Sequence, residues 1–171
     1  MNIDNLLGKF KGNRAEKIPD RPGNYILCLR RGSKLPPIGI EPTYTRFEGL
    51  NVVYTGISSN NLRKRDQKHF GKNAGQSTLR KSLGVMFGCK QISRDKATLS
   101  NRTKFRTEDE QRLTEWMKNN LVMFYLDQPN FGQIEGGLIN HFNPPLNLRN
   151  NHNSVNLEFR KKLSQLRRKR A

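Results

Sequence analysis

The sequence predicts a small mixed fold of the α/β or α+β class, built as one domain. Its 171 residues can bury one core but are too few for two ordinary domains. Three short runs, 23–29, 52–56 and 121–126, are β-branched, aromatic or continuously apolar, as strands require. Helix start signals lie around and between them. Strands and helices therefore alternate along the chain and should pack as layers.

Residues 1–20 predict a short leading helix around "DNLLGKF" and then a basic loop. "GNYILCL" (23–29) is the first strand. "RRGSKLPPIGIEPTYTRFEGLN" (30–51) is rich in Pro, Gly and charge, which predicts an ordered loop or insertion. "VVYTG" (52–56) is a second strand, antiparallel to the first. "SSNNLRKRDQKHF" follows with Ser and Asn as N-cap candidates, so a helix starts near 59–61. Two glycines in 71–76 end it, and "STLRKSLGVMFG" (77–88) is a further short helix capped by Ser77. The basic stretch 90–106 carries no assignment. "TEDEQRLTEWMKNN" (107–120) is a helix in which Thr107 and Glu110 have capping-box spacing and an acidic first turn complements the dipole. "LVMFYL" (121–126) is a buried strand. "NFGQIEGGLINHF" (130–142) is a helix despite Gly136–Gly137, each unfavourable by roughly 1 kcal/mol. A close backbone approach is expected to compensate. A Pro- and Asn-rich loop then leads to a basic terminal helix, expected to fray at its end.

Composition narrows the partner. The net charge is +18, far beyond the roughly 2–8 units that keep a small domain soluble. Such a surplus calls for a polyanion, nucleic acid first and an anionic membrane surface second. No run approaches the roughly 20 apolar residues of a membrane span. The opening "MNIDNLLGKFKGNRAEK" has no apolar signal core. Cys28 and Cys89 lack C-x-x-C spacing, so neither a zinc site nor a disulfide framework is indicated. A cytoplasmic location is expected.

Several chemistries are excluded. Two-metal hydrolysis needs several convergent carboxylates, yet Glu135 is the only acid between Asp127 and Glu158, and none lies between Asp66 and Asp95. The histidines, His69, His141 and His152, have no metal spacing. There is no phosphate-binding G-x-x-x-x-G-K-[ST] loop and no nucleophile elbow. Phosphodiester chemistry here must run on one carboxylate, tyrosines, cations and at most one metal. Arg65 and His69 stand at i, i+4 and share a helix face, a rigid fork suited to phosphate beside an imidazole. Taken singly, each group has a plainer reading: a solvated basic face, a structural histidine, packed strand tyrosines, a surface glutamate.

Taken together, "GNY" at 23–25, "YTG" at 54–56, the helix bearing Arg65 and His69, and "EGGLINHFNPPLN" at 135–147 resemble the GIY-YIG nuclease family. Glu135, Leu138, Ile139, Pro144 and Asn147 follow the family's order of glutamate, apolar pair, proline turn and asparagine. Asn24 and Thr55 replace the central isoleucines, on the strand side away from the tyrosines. The resemblance implies a small three-stranded antiparallel sheet flanked by helices. It implies a lead segment at 1–21, a nuclease domain at 22–150 with insertions near 30–51 and 71–106, and a basic segment at 151–171. The first insertion gives the chain the look of the enlarged restriction-endonuclease form, with a restriction-like or mobile-element role.

The resemblance further implies hydrolysis of double-stranded DNA with one divalent cation, Mg2+ or Mn2+. Glu135 would ligate it, Arg65 would stabilise the transition state, and Tyr25 or Tyr54 would activate the water, its phenolate favoured by nearby cations. His69 would assist, Asn147 would brace the site, and Gly56 would permit the strand-to-helix passage and a close backbone approach. Arg63, Lys64, Arg80, Lys81, Arg160, Lys161, Arg167 and Arg168 are the candidate backbone contacts, with "STLRKSL" and the loop after it as target-reading surface. Symmetric double-strand cutting would need a homodimer on DNA or two successive visits. The alternatives are a non-catalytic nucleic-acid binder on the same fold and a basic module for RNA or membrane, which no motif supports.

Overall fold

Strand β2 (Gly23–Leu29) lies at the centre of the molecule, and all seven of its residues are buried. A computed structural model describes residues 3–12, 17–71, 73–93 and 103–169. On either side of β2 run β4 (Leu50–Ser58) and β7 (Leu121–Asp127), both antiparallel to it. Tyr25 is thereby set opposite Gly56 on one side and Tyr125 on the other. Two short strands extend this sheet: β1 (Lys11–Gly12) beside β7 and β3 (Arg46–Phe47) beside β4, in the order β1-β7-β2-β4-β3. The sheet thus has five strands rather than the expected three. Each addition is two residues long and shows no alternation of its own; β1 arises in the predicted basic loop and β3 inside the 30–51 insertion. A separate pair, β5 (Ile92–Ser93) with β6 (Thr103–Lys104), occupies the stretch that carried no assignment. The rest of that stretch, 94–102, lies outside the described residues.

Side-chain alternation along β2 sorts the core into two faces. Tyr25, Leu27 and Leu29 point to one, where Leu62 of α2 (Leu62–Phe70) and Leu79 and Leu83 of α3 (Thr78–Met86) pack. Met117 of α4 (Thr107–Asn120), with Phe159 and Leu163 of α6 (Leu157–Arg168), completes that face. Ile26 and Cys28 point the other way, against Leu6 of α1 (Ile3–Leu7) and Ile134, Leu138 and Phe142 of α5 (Phe131–Phe142). Burying one such side chain is worth roughly 1.5–3 kcal/mol.

Local chemistry sets the helix ends. The Asn61 side chain accepts from Lys64 N at the start of α2, and Ser77 Oγ accepts from Arg80 N at the start of α3. Helix α4 departs from expectation: its N-cap is Arg106, without a side-chain cap, and Thr107 is already helical. Glu110 instead accepts from Ala74 N at 2.8 Å and Phe105 N at 3.1 Å, tying the turn before α3 to α4. In α5, a Cβ at Gly137 would lie 3.0 Å from Ile3 Cδ1, so α1 is the close neighbour there, whereas Gly136 faces open space. At the end of α6, Gln91 Nε2 donates to Arg167 O at 2.8 Å and Lys169 O at 3.0 Å, and the last residues, 170–171, where fraying was expected, lie outside the described residues. Among the described residues no helix is long and apolar enough to cross a membrane.

Candidate active site

The sheet delivers two phenols to one place. Tyr25 and Tyr54, on adjacent strands, have ring centroids 6.1 Å apart, and His69 of α2 sits 5.4 Å from the first and 6.2 Å from the second. Gly56 makes this arrangement possible. A Cβ there would lie 2.4 Å from the Tyr25 hydroxyl, so the ring lies over bare backbone. Gly56 is mid-strand, however, and the passage into α2 is made further on, where Ser58 Oγ accepts from Asn61 N.

The hydrogen bonds are specific. Tyr25 OH meets His69 Nε2 at 2.8 Å, and Arg65 Nε donates to the same oxygen at 3.1 Å. Tyr54 packs against the Tyr25 ring and lies within electrostatic reach of Arg65. On its other side, His69 Nδ1 contacts Ser77 Oγ at 2.8 Å. Burial pushes the Tyr25 pKa well above the ordinary phenol value, the neighbouring Tyr54 adds to this, and Arg65 opposes it without prevailing. Within the protein alone, desolvation outweighs the guanidinium and works against the expected cation-favoured phenolate at Tyr25. Burial, with Arg65 and Arg80 nearby, holds His69 well below its usual pKa, so the ring is neutral and one nitrogen is an acceptor.

Glu135 arrives from the opposite face of the sheet, in the early part of α5. It is half-buried, and no hydrogen bond or ion pair with a described residue takes up its oxygens. Burial raises its pKa while Arg65 acts in the other direction, so the two lie within electrostatic reach. Asn24, in the place of an apolar residue, helps to fix this helix. Its Nδ2 donates to Phe131 O at 3.0 Å, and its Oδ1 accepts from Gln128 at 2.6 Å. Asn147 fastens the chain beyond α5 to the edge of β4: Thr55 N donates to its Oδ1 at 2.9 Å, and its Nδ2 donates to Thr55 O at 2.8 Å. With Leu146 N bonded to Val53 O at 3.0 Å, this segment closes the strand edge.

A family model, the GIY-YIG catalytic domain, matches residues 23–169. The chain belongs to the GIY-YIG nuclease family. The match spans every residue of the cluster just described and implies nuclease activity in general. No curated protein and no solved structure matches the chain.

The cations proposed from sequence for this GIY-YIG nuclease divide sharply. Arg80 is fully buried, with its guanidinium on Glu110 at 2.7 Å, on Thr114 Oγ1 at 2.9 Å and on His69 O at 3.0 Å. Arg160 is also buried, bonded to Asn143 Oδ1 at 3.2 Å and to the carbonyls of Val155 and Asn153. Both guanidiniums are committed inside the fold and not presented on the surface as expected. Of "STLRKSL", Leu79, Arg80, Ser82 and Leu83 are buried, while Thr78 and Lys81 reach a cleft. Arg63 bonds Asp20 at 2.6 Å, Lys161 pairs with Glu158 at 2.8 Å, and Lys64 is exposed. Lys81, Arg167 and Arg168 line clefts. Sequence reasoning took Ser77 as a cap alone, although one hydroxyl serves both Arg80 N and His69. Asn24 went unrecognised as a tether; a polar residue inside an apolar strand was the available signal.

Proposed function

We propose that the chain is a divalent-metal-dependent endodeoxyribonuclease acting on double-stranded DNA. The observation that carries this reading is the single hydrogen-bonded cluster of Tyr25, Arg65 and His69, with Tyr54 against it and Glu135 within electrostatic reach of Arg65. Among the described residues no group of three or more His, Cys, Asp or Glu gathers, so multi-carboxylate chemistry has no support here.

Of the two phenols, Tyr54 is half-exposed and Tyr25 is fully buried behind it. Tyr54 meets the attacking water. Behind it, His69 Nε2 accepts from the Tyr25 hydroxyl and orients that phenol toward Tyr54. Ser77 fixes the ring from its far nitrogen. Arg65 faces the charge that builds on the phosphate oxygens in the transition state. Glu135 fits a hard cation, because its oxygens are uncommitted among the described residues and one carboxylate suffices for an ion that keeps several waters. Glu135 would hold a Mg2+ or Mn2+ ion, which would neutralise charge on the scissile phosphate and the leaving oxygen. The enlarged 30–51 region favours a restriction-like or mobile-element setting over repair.

The test is plasmid cleavage with Mg2+, with and without chelator, for the parent protein, Glu135→Gln and Arg65→Ala. Glu135→Gln should abolish cleavage and keep DNA affinity. Arg65→Ala should slow cleavage by about 10²–10³-fold, more than it weakens binding. A parent protein that binds DNA but never nicks it would establish the non-catalytic binder instead.

A further inference from the structure

From Arg65 the surface falls into a cleft of about 670 Å3 bounded also by Lys68, Ser77, Lys81, Arg149 and Arg167. A second cleft of about 430 Å3 shares Lys81, Arg149 and Arg167 with the first and adds Arg168. The two form one groove running outward from the tyrosine cluster. Among the described residues that line it there is no carboxylate and no aromatic ring on which a base could stack.

Two features mark the groove as built for an anion. Arg149 and Arg167 line both parts of the groove and repel one another, with no acid among the described lining residues to separate them. Arg167 also reaches Tyr54 electrostatically, so the cationic lining continues into the reacting centre. The far wall is rigid: Gln91 holds the carbonyls of Arg167 and Lys169, and its own Oε1 accepts from Thr103 Oγ1 at 2.8 Å. Arg167 therefore stands on a fixed helix end and not on a loose tail.

We infer that this groove holds the sugar–phosphate backbone of the strand being cut, with Lys81, Arg149 and Arg167 contacting phosphates that flank the scissile one. The inference rests on the nuclease reading and adds the path of the substrate. An open cationic trough whose described lining is neither aromatic nor acidic suits a polymer backbone, and contacts of this kind position DNA without reading its sequence.

The experiment measures duplex affinity against salt concentration in the full-length Glu135→Gln protein, which holds DNA uncut. Adding Arg149→Ala and Arg167→Ala should lower affinity equally for unrelated sequences. It should also reduce the slope of log affinity against log salt by about 2, near 0.9 for each lost phosphate contact. Arg149→Lys with Arg167→Lys should restore the slope, and Lys162→Ala, exposed on α6 outside the groove, should leave it alone. Thermal melts of each variant separate lost contacts from lost folding. A folded double-alanine variant with the parent slope overturns the groove while leaving cleavage by the parent protein, measured separately, to decide the nuclease reading. Inorganic phosphate that abolishes duplex binding only in proportion to ionic strength supports a backbone track; saturable displacement at low concentration would point to a small phosphate ligand and overturn it.

Discussion

Asp66 stands next to Arg65 on α2, and burial pushes its carboxyl up to about 6 from an ordinary 3.8. Between those values the folded protein binds more protons than the unfolded chain, so stability falls as pH rises through that window. Above about pH 6 the full penalty is present. Asp66→Asn should therefore raise the melting temperature at pH 7 and give no gain at pH 4. A gain of equal size at both pH values would mean that the charge is not the cause. His69 acts in the opposite sense: its folded pKa lies below 6.5, so its contribution is complete above that pH and lost on acidification. At this scale the sequence indicated which side chains gather, as Tyr25, Tyr54, Arg65 and His69 do, with Glu135 within electrostatic reach of Arg65. It was uninformative about which cations turn inward. Arg80 and Arg160 look like their exposed neighbours in a basic run, and only tertiary packing shows that Glu110 and Asn143 claim them.

Among the elements, the edge of β4 is the most dependent on one side chain. Asn147 gives its carboxamide to both backbone groups of Thr55, in the manner of a neighbouring strand. Asn147→Ala would leave a buried donor and a buried acceptor unpaired, at about 1–3 kcal/mol each. Urea unfolding should show a loss of at least about 2 kcal/mol, and cleavage should fall with it because β4 carries Tyr54. A loss under about 0.5 kcal/mol would mean that the edge is held by Leu146 alone. The strands and helices of ordinary length were legible, since periodicity, caps and β-branched runs mark them. Two-residue edge strands were not, because pairing there is imposed by the neighbour and not by local composition. The capping box failed for a related reason: Glu110 had stronger partners across the fold than at its own helix start.

For the whole molecule, the question is whether α6 is an appendage or a wall. The charge of +18 and the basic terminal run suggest a solvated tail, yet Phe159 and Leu163 lie in the same core as Leu79 and Leu83 of α3. Their burial is worth roughly 1.5–3 kcal/mol apiece, comparable together with the net stability of about 5–15 kcal/mol typical of a domain. Removing residues 156–171 should abolish a cooperative melt, and not merely weaken DNA binding. A truncated chain that melts cooperatively near the parent temperature would make α6 dispensable to the fold.

Because the carboxylate and the last core helix both come late in the chain, a half-synthesised polypeptide has neither its acid in place nor a closed core around its phenols. On the proposed reading, cleavage would therefore require α5 and α6 to be in place and not the strands alone.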